Sequence, residues 1–148
     1  MSKIGIIGGS GLDDPDILEG PSEASMETPY GDPSSNIKEG KIEGQHVAIL
    51  ARHGVDHSIS PSNVNFRANI WALKQVGCTH ILASTAVGSL RKAIEPGHIV
   101  FPNQFIDLTK QRISTFYNED KVVHTPMAEP FCQSTIEILR ETATEMKI

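Results

Sequence analysis

Apolar and polar positions alternate along this chain at two different periods, and the changes of period mark its elements. Lys3 to Gly9 is a short apolar run closed by glycine, which predicts a strand buried on both faces of an α/β sheet. Leu12 to Gly20 offers Asp13 or Asp14 as a cap before Pro15, predicting one or two helical turns. From Pro21 to Ser35 the chain is rich in Pro, Ser and Gly and reads as loop. Asn36 to Gly54 predicts two strands joined by a tight turn at Glu43-Gly44, the second (His46 to Leu50) apolar enough to be central and ending where Arg52 begins. Ser62 to Gln75 predicts a helix, with Val64, Ala68, Trp71 and Leu73 as an imperfect apolar stripe and Gly77 at its C-cap. Thr79 to Ser84 predicts another buried strand, running directly into Thr85. Glu95 to Thr109 reads as a Pro-Gly turn and a strand broken or bent at Pro102. Ser134 as N-cap and Glu137 at N3 form a capping box, and Ile136, Leu139, Ala143 and Met146 then recur at helical spacing.

Composition narrows the functional classes. With 148 residues and 39% hydrophobic content the chain suits one domain with a buried core. No run approaches the length of a membrane span, and the start lacks the charged and apolar regions of a signal peptide, so a cytoplasmic location is expected. A formal net charge of -5 without a basic block argues against an extended nucleic-acid footprint, so any anion site must be local. Cys78 and Cys132 show neither CxxC nor zinc spacing, and buried reduced thiols are expected.

Three short polar segments follow three predicted strands: Gly8 to Gly11, Arg52 to His57 and Thr85 to Ser89. In open α/β sheets ligands bind beyond the carboxyl ends of strands, so these segments could converge on one site. The first segment fails three familiar motifs. The third glycine of the dinucleotide fingerprint falls on Asp14, no Gly-Lys-Ser/Thr follows to make a P-loop, and the nucleophile elbow ends on Leu12. What remains is a loop offering backbone N–H groups and the Ser10 hydroxyl to a small oxyanion, or a glycine turn needed only for packing. Arg52 brings a fixed cation with a planar fork of donors, suited to phosphate or carboxylate or to a surface ion pair, and His53 can add a hydrogen bond. His53 and His57 are four residues apart, but Gly54 and Pro61 argue against a helix there, so no metal is expected. Ser84, Thr85 and the Ala86 and Val87 amides stand at the end of the third strand, either as anion donors or as a plain strand-to-loop turn. Taken together, the three segments describe a single phosphate pocket.

The stretches Lys3 to Pro15, Leu50 to His80, Ser84 to Val100, Gln104 to Thr109 and His124 to Cys132 resemble the S-methyl-5'-thioadenosine phosphorylases, trimeric members of the purine nucleoside phosphorylase superfamily. The resemblance runs through nearly all of the chain. It implies a phosphorylase/hydrolase-like α/β fold, a central twisted mixed sheet flanked by helices and incomplete here. It assigns Ser10, Arg52, His53, Thr85 and Ala86 to phosphate binding, with Ala86 also touching the nucleoside through its backbone. More weakly it places His57 near ribose and phosphate, and His124 near the 5'-methylthio group of a neighbouring subunit. The implied reaction is that of a pentosyltransferase: methylthioadenosine and inorganic phosphate give adenine and 5-methylthioribose 1-phosphate, with phosphate as co-substrate and no metal or organic cofactor. An Asp in the family's C-terminal half activates the purine, so residues 1–148 are expected to be the N-terminal part of a single domain. No residue of this chain is assigned the catalytic acid. A second chain carrying the purine-binding half is one expected partner. The alternatives are a purine nucleoside or methylthioinosine phosphorylase, or a noncatalytic phosphate-binding subunit.

Overall fold

A computed structural model describes residues 2–9, 15–117 and 121–148. They form two compact units, one up to Ala86 and one from Val87 onward. The proposed caps Asp13 and Asp14 lie outside the described residues.

The first unit is a mixed sheet of five strands in the order β2-β3-β4-β1-β5. Its strands are β1 (Ile4–Gly8), β2 (Glu19–Ala24), β3 (Ile37–Ile42), β4 (Gln45–Ala51) and β5 (His80–Ala83), with one helix, α1 (Phe66–Gln75), between β4 and β5. β1 runs parallel to both β4 and β5, while β3 pairs antiparallel with β2 and β4. Glu43 and Gly44, at φ 48° and 75°, make the two-residue turn joining β3 to β4, since positive φ at both positions matches the strand twist.

β4 is buried from Val47 to Ala51 because both faces are covered. Ala48 and Leu50 join Ile7, Ile37, Ala72 and Leu73 in one cluster, while Val47 and Ile49 pack with Leu18 in another. Each fully buried Leu or Ile contributes about 1.5–3 kcal/mol, so these clusters anchor the sheet. Gly5 lets α1 and the following turn come close: a Cβ there would stand 3.2 Å from the Cys78 sulfur and 3.3 Å from Leu73 Cδ1.

Four expectations for this unit are corrected. The supposed loop after Pro21 contains part of β2, an exposed edge strand with an irregular register between Glu19 and Ser22. Its Gly, Pro and charged residues hide it from an apolar-pattern reading, and Pro is tolerated at a sheet edge. The helix starts at Phe66 rather than Ser62: Pro61–Asn63 form a separate 3-10 turn, and Asn65 is the N-cap, its side chain accepting from the Ala68 N–H. β5 is not a buried strand. With β1 as its neighbour on one side, His80, Ile81 and Ala83 are exposed and Leu82 is half-buried. Cys78 is half-buried against the core rather than fully enclosed.

The second unit holds one helix, α2 (Gln133–Met146). Ile136 is buried and Leu139 and Ala143 are half-buried, following the expected stripe, but Met146 is exposed. Its N-cap is Cys132, not Ser134, which lies within the first turn; no side-chain capping bond forms. The Ser134 hydroxyl instead sits 3.2 Å from the exposed Cys132 sulfur. Hydrogen bonds from Ser134 and Thr135 hold that thiol down at about 7. The strand expected around Pro102 does not form among the described residues. Local order there comes from a Phe105–Phe131 edge contact at 5.9 Å and a bond from Gln104 Nε2 to the Met127 carbonyl, 2.9 Å.

Candidate functional site

The parallel trio β4-β1-β5 brings three strand ends to one edge. Gly8 pairs with Ala51 and Ile7 with Ala83, so the chains leave the sheet almost level. The ladder continues one step beyond: Arg52 N donates to the Gly8 carbonyl at 3.0 Å, and Ser84 N to the Ile7 carbonyl at 3.2 Å. Continuous apolar strands thus deliver polar residues to a common rim.

Arg52 links the three ends. Its backbone is bound to β1's last residue, and its guanidinium Nη1 donates to the Ser84 carbonyl past β5. Gly9 supplies the clearance, because a Cβ at that position would lie 3.0 Å from Arg52 Nη2. The arrangement holds a half-buried permanent cation against a bare peptide segment.

His53 is fixed from both ring nitrogens. Nε2 lies 3.3 Å from Arg52 Nε, which can only donate, and Nδ1 lies 2.9 Å from the Ile59 carbonyl, which can only accept. One tautomer satisfies both, with the proton on Nδ1. An anion received by Nε2 would therefore require a second proton on the ring and release of the Arg52 Nε bond.

The turn carrying these side chains is tight. Gly54 N donates to the Ala51 carbonyl at 3.2 Å and His57 N to the Gly54 carbonyl at 3.2 Å, while Ile59 N returns to the His53 carbonyl at 2.9 Å. Gly54 is buried with φ +78°, and an added Cβ would meet Ser58 Oγ at 3.2 Å. His57 also adopts positive φ, 52°, and its ring lies 6.2 Å from that of His53 at 24°.

The remaining candidates divide. Thr85 and Ala86 follow Ser84 directly and are exposed at the same strand end. His124 is exposed in the second unit, and Ser10 lies outside the described residues. Sequence reasoning missed two participants, the Ser84 carbonyl and the close approach of Gly9 to Arg52. A backbone acceptor carries no residue-type signature, and a glycine in a glycine-rich loop does not say which neighbour needs the space. Among the described residues no group of three or more His, Cys, Asp or Glu side chains is placed to hold a metal ion. Nor is any described helix long and apolar enough to cross a membrane.

Residues 3–148 match the profile of the Phosphorylase superfamily. An S-methyl-5'-thioadenosine phosphorylase of Danio rerio is 58% identical over 146 residues, covering 95% of this chain and 52% of its own length. The enzyme of that name from Hyperthermus butylicus is 51% identical over 145 residues, covering 98% of this chain and 53% of its own. Methylthioadenosine phosphorylase from Schistosoma mansoni in complex with adenine superposes with a TM-score of 0.95 at 47% identity, over 100% of this chain and 55% of that one. The same enzyme in complex with tubercidin gives 0.93 at 47% identity, over 100% and 54%. The chain thus spans about half the length of the curated relatives it matches.

Proposed function

Because this chain belongs to the phosphorylase superfamily, we propose that it supplies the phosphate site of an enzyme that splits S-methyl-5'-thioadenosine into adenine and 5-methylthioribose 1-phosphate. The observation that carries the reading is the convergence of three parallel strand ends on Arg52, at the rim where such sheets take ligands. The names of the relatives and the adenine and tubercidin complexes of the schistosome enzyme support the substrate class.

In this mechanism inorganic phosphate is the nucleophile. As the N-glycosidic bond lengthens, its electrons pass to the purine and positive charge grows on the sugar. A phosphate oxygen held beneath the anomeric carbon stabilises that charge and forms the new C–O bond. Arg52 orients the phosphate, with Thr85, Ala86 and Ser10 as further donors and His53 beside Arg52 as part of the same site. His57 stands beside the ribose side of the pocket in this reading. The purine must gain a proton or hydrogen bond as it leaves. We place the acid, and the groups that hold purine and ribose, in the part of the family domain that residues 1–148 do not span. The proposed assembly is a homotrimer in which His124 serves a neighbouring subunit's site.

The test is phosphate-dependent adenine release from methylthioadenosine by the full-length protein, set against hypoxanthine release from inosine. Arg52→Gln is expected to lower kcat/KM for phosphate about a hundredfold or more while the fold is retained. Faster phosphorolysis of inosine would move the substrate to the purine nucleosides, and phosphate binding without turnover would make the chain a binding subunit. An Arg52→Gln protein as active as the parent would remove the site altogether.

A further inference from the structure

A polar side chain buried in the core needs a reason, because burial of an amide is costly unless it is fully paired. Asn69 is 1% exposed on the face of α1 that also carries Ala68, Ala72 and Leu73. Both ends of its amide point at one residue: Oδ1 accepts from Ser34 N at 2.8 Å, and Nδ2 donates to Ser34 Oγ at 3.0 Å. One helical turn earlier, Asn65 Nδ2 donates to the Tyr30 carbonyl at 2.7 Å and to the Asp32 carbonyl at 3.2 Å. Two asparagines four residues apart, the N-cap Asn65 and Asn69 within α1, therefore fasten the segment leading into β3.

The fastened segment reaches the candidate site. Ser35 Oγ accepts from Ala51 N at 3.0 Å and donates to the Asn36 carbonyl at 2.8 Å. Ala51 immediately precedes Arg52. On the other side of the turn, a Cβ on Gly54 would lie 3.5 Å from the Ser34 carbonyl. Ser34 and Ser35 thus abut both feet of the Ala51–Gly54 turn, whose own closing bond runs from Gly54 N to the Ala51 carbonyl. Arg52 and His53 are the two residues between those feet.

We infer that Asn69 is a positioning residue: through Ser34 and Ser35 it sets the turn that presents Arg52 and His53 to an anion. The inference rests on the phosphate reading of Arg52 for its ligand, while the bracing itself is geometric. A leucine at this helix position would keep the branched shape but leave the Ser34 N–H and hydroxyl without their partner, so it would lower stability as well as release the segment. The amide therefore contributes placement as well as stability. A buried hydrogen-bond acceptor also holds a backbone at a single distance, which an apolar contact does not.

The experiment uses the full-length protein with inorganic phosphate as probe, measured by isothermal titration alongside thermal melting. Asn69→Leu and Ser35→Ala are each expected to weaken phosphate binding about tenfold and to lower the melting temperature, since each leaves a backbone N–H, that of Ser34 or of Ala51, without its acceptor. Ser35→Thr keeps the hydroxyl and is expected to bind as the parent does; a cavity of about 20 Å³ lined by Ser35, Ala51 and Val55 gives its methyl room. Parent-like phosphate affinity in both Asn69→Leu and Ser35→Ala would overturn the inference. Should Asn69→Leu fail to fold, the Ser35 pair decides it. A parent protein that does not bind phosphate would refute the phosphate reading, and amide exchange at Ala51 and Gly54 then decides the bracing. Faster exchange in Ser35→Ala but not Ser35→Thr supports it, and equal exchange overturns it.

Discussion

Residues up to Ala86 and residues from Val87 onward are both rich in apolar side chains, yet they use them differently. Among the described residues, every buried apolar side chain except Ile136 lies in the first unit. Leu50 there is 0% exposed, whereas Leu90, Ile106, Leu108 and Val122 of the second unit are all at least 80% exposed. In the first unit the inner strands β3, β4 and β1 find partners on both sides and a helix covers one face, so apolar runs become core. In the second, the run around Pro102 finds no ladder among the described residues, and its side chains stay on the surface. An apolar run supplies the means to be buried, but a neighbour at the right distance does the burying.

The largest expected effect tests that contrast directly. Leu50→Ala should cost about 2–5 kcal/mol through lost contacts and a cavity, and Leu90→Ala less than about 0.5 kcal/mol, both read from urea denaturation. Equal costs would mean that the second unit buries Leu90 in solution and that the contrast fails.

The cysteines sharpen it chemically. Burial pushes the Cys78 thiol above its ordinary value of 9.0, while hydrogen bonds lower Cys132 to about 7. A thiolate is the reactive form, so at pH 7 Cys132 should be alkylated by iodoacetamide roughly fiftyfold faster or more. Its rate should climb through pH 7 and level above 8, whereas that of Cys78 should still be rising beyond pH 9. Peptide mass mapping separates the two sites, and matching pH profiles would refute the difference in environment.

Within the first unit, Gly54→Ala should destabilise by about 1–2 kcal/mol, the cost of a left-handed conformation for a residue with a side chain. The methyl would also press on Ser58 and displace the Arg52–His53 turn. A melting temperature unchanged from the parent would show that the turn tolerates another geometry. Gly9→Ala is the smallest perturbation. The clash is with the flexible end of Arg52, so stability should hardly change, whereas phosphate affinity should fall a few-fold, roughly 1 kcal/mol. A drop in stability without a drop in affinity would make Gly9 a packing glycine.

Local pattern was enough to read β1, the β3–β4 hairpin, the central place of β4 and the polar segments at three strand ends. Each depends on a short apolar run and the glycine that stops it, both visible within a few residues. By itself the sequence also determined the residue types at the rim and, through its resemblance to nucleoside phosphorylases, the family. Tertiary structure decided the rest. β2 became a strand because β3 lay beside it, and β5 stayed exposed because β1 pairs with it on one side. The helix began at Phe66 rather than Ser62, capped by Asn65, whose side chain also binds carbonyls more than thirty residues away in sequence. The partners of Arg52 and Asn69, Ser84 and Ser34, are equally remote, at separations of 32 and 35 residues. Hydrogen bonds of that kind follow from where the sheet brings the chain, and no periodicity in the sequence encodes them.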